Sequence, residues 1–262
     1  MLRRYLIAMT VLTLVLAFAG CRGGRGDYVP VVDPELVNLS KEEAFERGEA
    51  LYETKKFQRA RKFYTHVYEN YPNDPLGRRS LLRVADTYFG QRGMLNLVEA
   101  QYKYRDFINR YPGSEFADYA MLQIANVSFE QMERPDRDQT KTREAVERFR
   151  DMLAAYPNSK HRPEAEERLQ LALDRLAKHE HIVARFYMQR RNFEAAISRL
   201  NGIVDTYPGY AERDATFYDL GHALESLGRN GEARLYFERV VAEFPESDFA
   251  NRAKEKLQDS QA

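Results

Sequence analysis

Few side chains in this sequence could do chemistry. Cys21 is the only cysteine among 262 residues, so an internal disulfide is impossible and a cysteine-based metal cluster lacks its ligands. A lone thiol there is a bystander, a nucleophile or a group made to be modified. Five histidines are scattered along the chain, and His179-Glu180-His181 looks at first like a ligand pair. Residues two apart point to different sides of a helix, so surface or groove histidines are expected there, and no metal site. No G-x-x-x-x-G-K-[ST] loop, H-E-x-x-H pair or G-x-S-x-G elbow occurs. Carboxylates on helices are ordinarily a solvated face. The sequence therefore predicts no catalytic residue, no cofactor and no enzyme. Arg185, Arg190, Arg191 and Arg199 fall close together. They are either ordinary solvent-facing charge or a basic patch for an acidic partner surface.

The segment that leads into Cys21 sets the compartment. Arg3 and Arg4 make a positive start, and Tyr5 to Ala19 is a mostly apolar, uncharged run. A spanning helix needs about 20 apolar residues, and this run falls short. The layout is that of a secretory signal, with an uncleaved membrane anchor as the alternative. Phe18-Ala19-Gly20-Cys21 resembles a bacterial lipoprotein signal, in which an aliphatic residue and two small residues precede the cysteine; Phe18 is the departure from that pattern. The resemblance implies that residues 1–20 are removed and that Cys21 carries N-acyl and S-diacylglycerol groups. One chain gives marginal, reversible binding, whereas two anchor stably. Arg22 stands where an aspartate commonly marks inner-membrane retention in enterobacterial lipoproteins, and by that analogy the outer membrane is favoured. Residues 21–40 are rich in glycine, proline and charge and are expected to be a flexible tether.

Elements that could hold a binding surface come from a repeat. Tyr-Pro recurs at Tyr71-Pro72, Tyr111-Pro112, Tyr156-Pro157 and Tyr207-Pro208, with Phe244-Pro245 as a fifth variant. Twelve residues before each proline stands an alanine: Ala60, Ala100, Ala145, Ala196, Ala233. Eight before each stands a large residue: Tyr64, Tyr104, Phe149, Leu200, Phe237. A spacing of four puts alanine and ring on one helix face. Proline arrives where the helix must stop. Gly48 and Gly221, each twelve residues ahead of an alanine, mark a preceding helix. The pattern resembles the tetratricopeptide repeat, whose helix–turn–helix units bury their faces only by stacking. The expected fold is all-α: one solenoid of about five repeats over 41–262, closed by a C-terminal capping helix. Two irregularities are expected, a polar loop at Glu133 to Thr142 and one long helix from Pro163 to Arg191.

Part of that repeat region carries a closer resemblance. Leu176 to Leu200 is similar to the BamD family, also called ComL, at Leu176, Ala177, Glu180, Val183-Ala184, Phe186-Tyr187, Arg190, Ala195-Ala196-Ile197 and Arg199. Arg137 to Lys160 and Ala117 to Ala120 resemble the family's third repeat. His179 and His181 depart from it. The family's members are lipoproteins of the outer-membrane β-barrel assembly machine. The resemblance implies a periplasmic, lipid-anchored scaffold that docks its C-terminal half on BamA, meets other assembly subunits and offers N-terminal repeats to unfolded outer-membrane protein segments. It assigns Arg199 to the BamA contact, with Glu180 and Arg190 as accompanying motif positions that could instead brace the helix pair. The alternative is a generic tetratricopeptide lipoprotein serving pilus, secretin or Tol-type envelope machinery. Nucleic acid is excluded as a partner by charge: 40 basic residues face 40 acidic ones. A cell-wall enzyme such as a lytic transglycosylase would need a catalytic glutamate in a separate compact domain, and repeats occupy the room for it.

Overall fold

The computed structural model describes residues 35–259. The chain divides into two units, Met1–Leu39 and Ser40–Ala262. The expected signal segment, Cys21 and the expected tether up to residue 34 lie outside the described residues. The second unit contains eleven helices among the described residues: α1 (Lys41–Glu53), α2 (Phe57–Asn70), α3 (Pro75–Gln91), α4 (Met94–Arg110), α5 (Ala117–Glu130), α6 (Thr140–Ala155), α7 (Arg162–Gln189), α8 (Phe193–Thr206), α9 (Arg213–Ser226), α10 (Asn230–Glu243) and α11 (Asp248–Asp259). Each helix packs on the next, and first helices of neighbouring repeats also touch, as α1 does α3 and α7 does α9. Five hairpins and a closing helix thus form the solenoid that the repeat pattern predicts.

The repeat positions do what their spacing requires. All five alanines and all five large residues are buried. Where the first helix carries glycine, the ring of the second takes its place. A Cβ on Gly48 would stand 2.7 Å from the Tyr64 ring, and one on Gly221 would stand 2.6 Å from that of Phe237. Each second helix ends on the aromatic residue before proline, with φ between −124° and −134° and ψ between 52° and 66°. Proline drives its predecessor out of the helical region, yet that residue's N–H still reaches the carbonyl four back, as Tyr71 does Val67 at 3.0 Å.

Helix starts follow local chemistry. Ser40 and Glu43 form a reciprocal capping box at α1, and Asp74 caps α3 ahead of Pro75. The polar loop spans 131–139 rather than 133–142, because Asp138 accepts from the Thr140 N–H at 2.8 Å and starts α6 there. The long helix is α7, with 28 residues. It ends where Arg191 adopts a left-handed φ of 58° and Asn192 caps α8. No helix among the described residues is long and apolar enough to cross a membrane.

Candidate docking surfaces

The long helix α7 ties the C-terminal half together through successive side chains on different sides. Lys178 reaches Glu212 at 2.5 Å, ahead of α9. Nδ1 of His179 lies 2.7 Å from the Pro135 carbonyl oxygen in the 131–139 loop. Glu180 accepts from Arg199 of α8 at 2.8 Å. Nε2 of His181 lies 2.9 Å from Oδ2 of Asp219 on α9, and Nδ1 lies 3.4 Å from the Tyr210 hydroxyl. The two histidines therefore diverge, and no group of three or more His, Cys, Asp or Glu able to hold a metal occurs among the described residues. His181 corrects the expectation of a surface or groove histidine, because it is buried. Its register explains why: Ala177 and Ala184, four before and three after, are also fully buried.

The four arginines do not make one patch. Arg185 turns back to Asp219, with Nε 2.8 Å from Oδ2. Burial pushes the Asp219 carboxyl up, but hydrogen bonds from His181 and Arg185 and their charge outweigh it and hold it below the usual aspartate range. Arg199 is half-exposed and already shares Glu180. Arg190 lies against the exposed Phe186 ring, 4.5 Å from its centroid. Together with the left-handed Arg191, these side chains give the α7–α8 turn a cationic and aromatic edge. The structure thus brings Glu180 and Arg199 together as a brace and leaves Arg190 at the turn.

The N-terminal half has a different feature. A cleft of 260 Å³ opens between Arg79, Leu82 and Arg83 of α3, Phe116 and Tyr119 around the start of α5, and Lys160 and His161 ahead of α7. Its floor is Asp86, whose Oδ1 accepts from the hydroxyls of Tyr104 at 2.7 Å and Tyr119 at 2.8 Å. Arg83 lies 3.3 Å from Oδ2 of Asp86 and 2.5 Å from Glu49, which also accepts from Tyr64 at 2.6 Å. Burial pushes the Asp86 carboxyl up and prevails over the hydroxyls and Arg83, which pull it down. Asp118 on the wall is occupied by the Ser159 hydroxyl at 2.6 Å. What the cleft presents is apolar and aromatic walls beneath a mixed rim of Arg79, Lys160 and the exposed Glu115. Such a shape has room for an apolar side chain. The sequence marks Tyr64 and Tyr104 as repeat rings, but no pattern in it singles out Arg79, Arg83, Asp86 or His161 as the lining of a cleft.

Comparison with known proteins shows the family. The family model described as YfiO, outer membrane lipoprotein, matches residues 38–236. A relative from Caulobacter vibrioides, outer membrane protein assembly factor BamD, is 26% identical over 230 residues, covering 87% of this chain and 73% of that one. Its namesake from Rickettsia prowazekii is 26% identical over 257 residues and covers 96% of both chains. Among solved structures, the TPR2AB-domain:pHSP90-complex of yeast Sti1 aligns with a TM-score of 0.45 at 14% identity, over 84% of this chain and 83% of that one. A match running from the start of α1 into α10 covers both the cleft and the α7–α8 edge, and the chain belongs to the YfiO/BamD family of outer-membrane lipoproteins.

Proposed function

We propose that this chain is a lipid-anchored scaffold of the outer-membrane β-barrel assembly machine, held at the periplasmic face by acyl groups on Cys21. Its C-terminal half docks on BamA along the α7–α8 edge, where Arg190 and Arg191 are presented and the Glu180–Arg199 pair fixes the helix angle. Its N-terminal cleft receives segments of unfolded outer-membrane proteins, with Phe116 and Tyr119 against an apolar side chain and Arg79 and Lys160 toward negative charge. The observation that carries this reading is the family match over 38–236, which spans both surfaces. The braced rigidity of α7 supports the docking role: a helix fixed to α8, α9 and the 131–139 loop can present a turn without reorganising.

A photoreactive amino acid in place of Arg190, activated in cells, tests the docking edge while leaving the Glu180–Arg199 pair intact. The expected product is a crosslink to BamA, identified by mass spectrometry. Crosslinks only to proteins outside the barrel-assembly machine would overturn the assignment.

A further inference from the structure

Helix α4 is apolar on two faces, and the solenoid uses only one. Leu97, Ala100, Tyr104 and Phe107 face the core and are buried. On the other side Met94 is 66% exposed, Leu95 83%, Val98 53% and Tyr102 61%. Leu95, Val98 and Tyr102 follow the i, i+3, i+7 spacing and form one stripe, with Met94 beside its start. Large apolar side chains gathered on an open face mark an interaction site.

Positive charge adjoins the stripe. Gln91, the last residue of α3, lines a shallow hollow of 360 Å³ with Lys55, Lys56 and Arg59. Arg61 of α2 holds Gln91 through Nη2 at 2.7 Å, so hollow and helix end are fixed together. Arg92 and Gly93, both left-handed at φ 60° and 82°, then turn the chain from the hollow directly into Met94. Lys103 lies 5.6 Å from the Tyr102 ring centroid, and Arg105 follows on the exposed side. Glu99 is the single acidic residue between Arg92 and Arg105.

An exposed apolar knuckle with a tyrosine and flanking cations is suited to the boundary between lipid headgroups and acyl chains. We propose that the α4 stripe and the Lys55–Lys56–Arg59 hollow seat on a bilayer surface carrying anionic phospholipid headgroups. Leu95 and Met94 enter the boundary and the cations engage phosphates. The inference rests on the lipid-anchor reading for its geometry. Twenty positions separate Cys21 from Lys41 at the start of α1, a contour length of at most about 70 Å, and α1 leads straight to the turn that bears Lys55 and Lys56.

Vesicle sedimentation of the unacylated polypeptide from Arg22 onward, which contains the whole second unit, tests the surface apart from the anchor. The proposal expects binding to vesicles of phosphatidylcholine mixed with phosphatidylglycerol, and little to phosphatidylcholine alone. Leu95→Asp should lower that partitioning by about tenfold or more, with the helical circular dichroism retained because Leu95 is outside the core. Lys55→Glu with Lys56→Glu should weaken binding and flatten its salt dependence. Equal partitioning of parent and Leu95→Asp would overturn the proposal. So would a concentration-dependent dimer of the parent that Leu95→Asp dissociates, since a second copy would then be the occupant. Intact-mass analysis of the membrane-derived N-terminal peptide separates the two readings. Acylated Cys21 without vesicle binding removes this inference alone, and vesicle binding with unmodified Cys21 removes the anchor alone.

Discussion

Asp86 and Asp219 occupy similar places in opposite halves of the solenoid. Each lies on the first helix of a repeat, α3 or α9, and each is buried. Their partners differ. Asp86 accepts from two neutral tyrosine hydroxyls and shares one arginine with Glu49. Asp219 meets His181 and Arg185, both from α7. Burial costs the charged form in both, and partner chemistry decides the sign: the Asp86 carboxyl lies above the usual range and that of Asp219 below it. The consequence is also geometric. The Asp219 cluster closes α7 onto α9 and stiffens the C-terminal half. The Asp86 cluster leaves a cleft open above it.

Replacing each aspartate breaks this contrast in order of size. Asp219→Ala leaves buried His181 without its carboxylate and should cost about 3 kcal/mol, read from the urea midpoint. Asp86→Ala orphans the buried Tyr104 hydroxyl and the partly buried Tyr119 hydroxyl and should cost about 2 kcal/mol. An Asp219 cost below that of Asp86 would reverse the comparison.

The pH dependence sharpens it further. Asp86 binds its proton more tightly folded than unfolded, so its contribution favours the native state below the unfolded value of 3.8 and is lost as the pH rises through the raised folded value. Asp219 does the reverse: its stabilisation is present above 3.8 and is lost as the pH falls through the lowered folded value. Relative to the parent, Asp219→Asn should therefore be most harmful above the usual aspartate range, and Asp86→Asn should become relatively less harmful as the pH rises. Parallel difference curves from denaturation across acidic pH would contradict the assignment. The smallest effect belongs to the half-exposed brace. Arg199→Gln should change stability by at most about 0.5 kcal/mol while weakening capture of BamA, measured by surface binding to its periplasmic domains.

The repeat frame was legible because it is local. Alanine, ring and proline recur within one helix, and all five sets pack as their spacing requires. The long helix was legible for the same reason: nothing between Pro163 and Arg191 interrupts it. The polar clusters were not legible. His181 and Asp219 are 38 positions apart and Asp86 and Tyr119 are 33 apart, with irregular linkers between them. No short-range period connects such pairs. His181 carried a partial signal, since it shares the buried face with Ala177 and Ala184. The Glu180–Arg199 pair shows the converse case, in which two residues chosen for partner contact first contact each other.

Affinity purification of the tagged chain from detergent-solubilised outer membranes tests the central claim most directly. The account predicts that the chain is recovered from that membrane and co-elutes with BamA. Recovery from the inner membrane alone, or elution with secretin or Tol-system proteins and no barrel-assembly subunit, would contradict it.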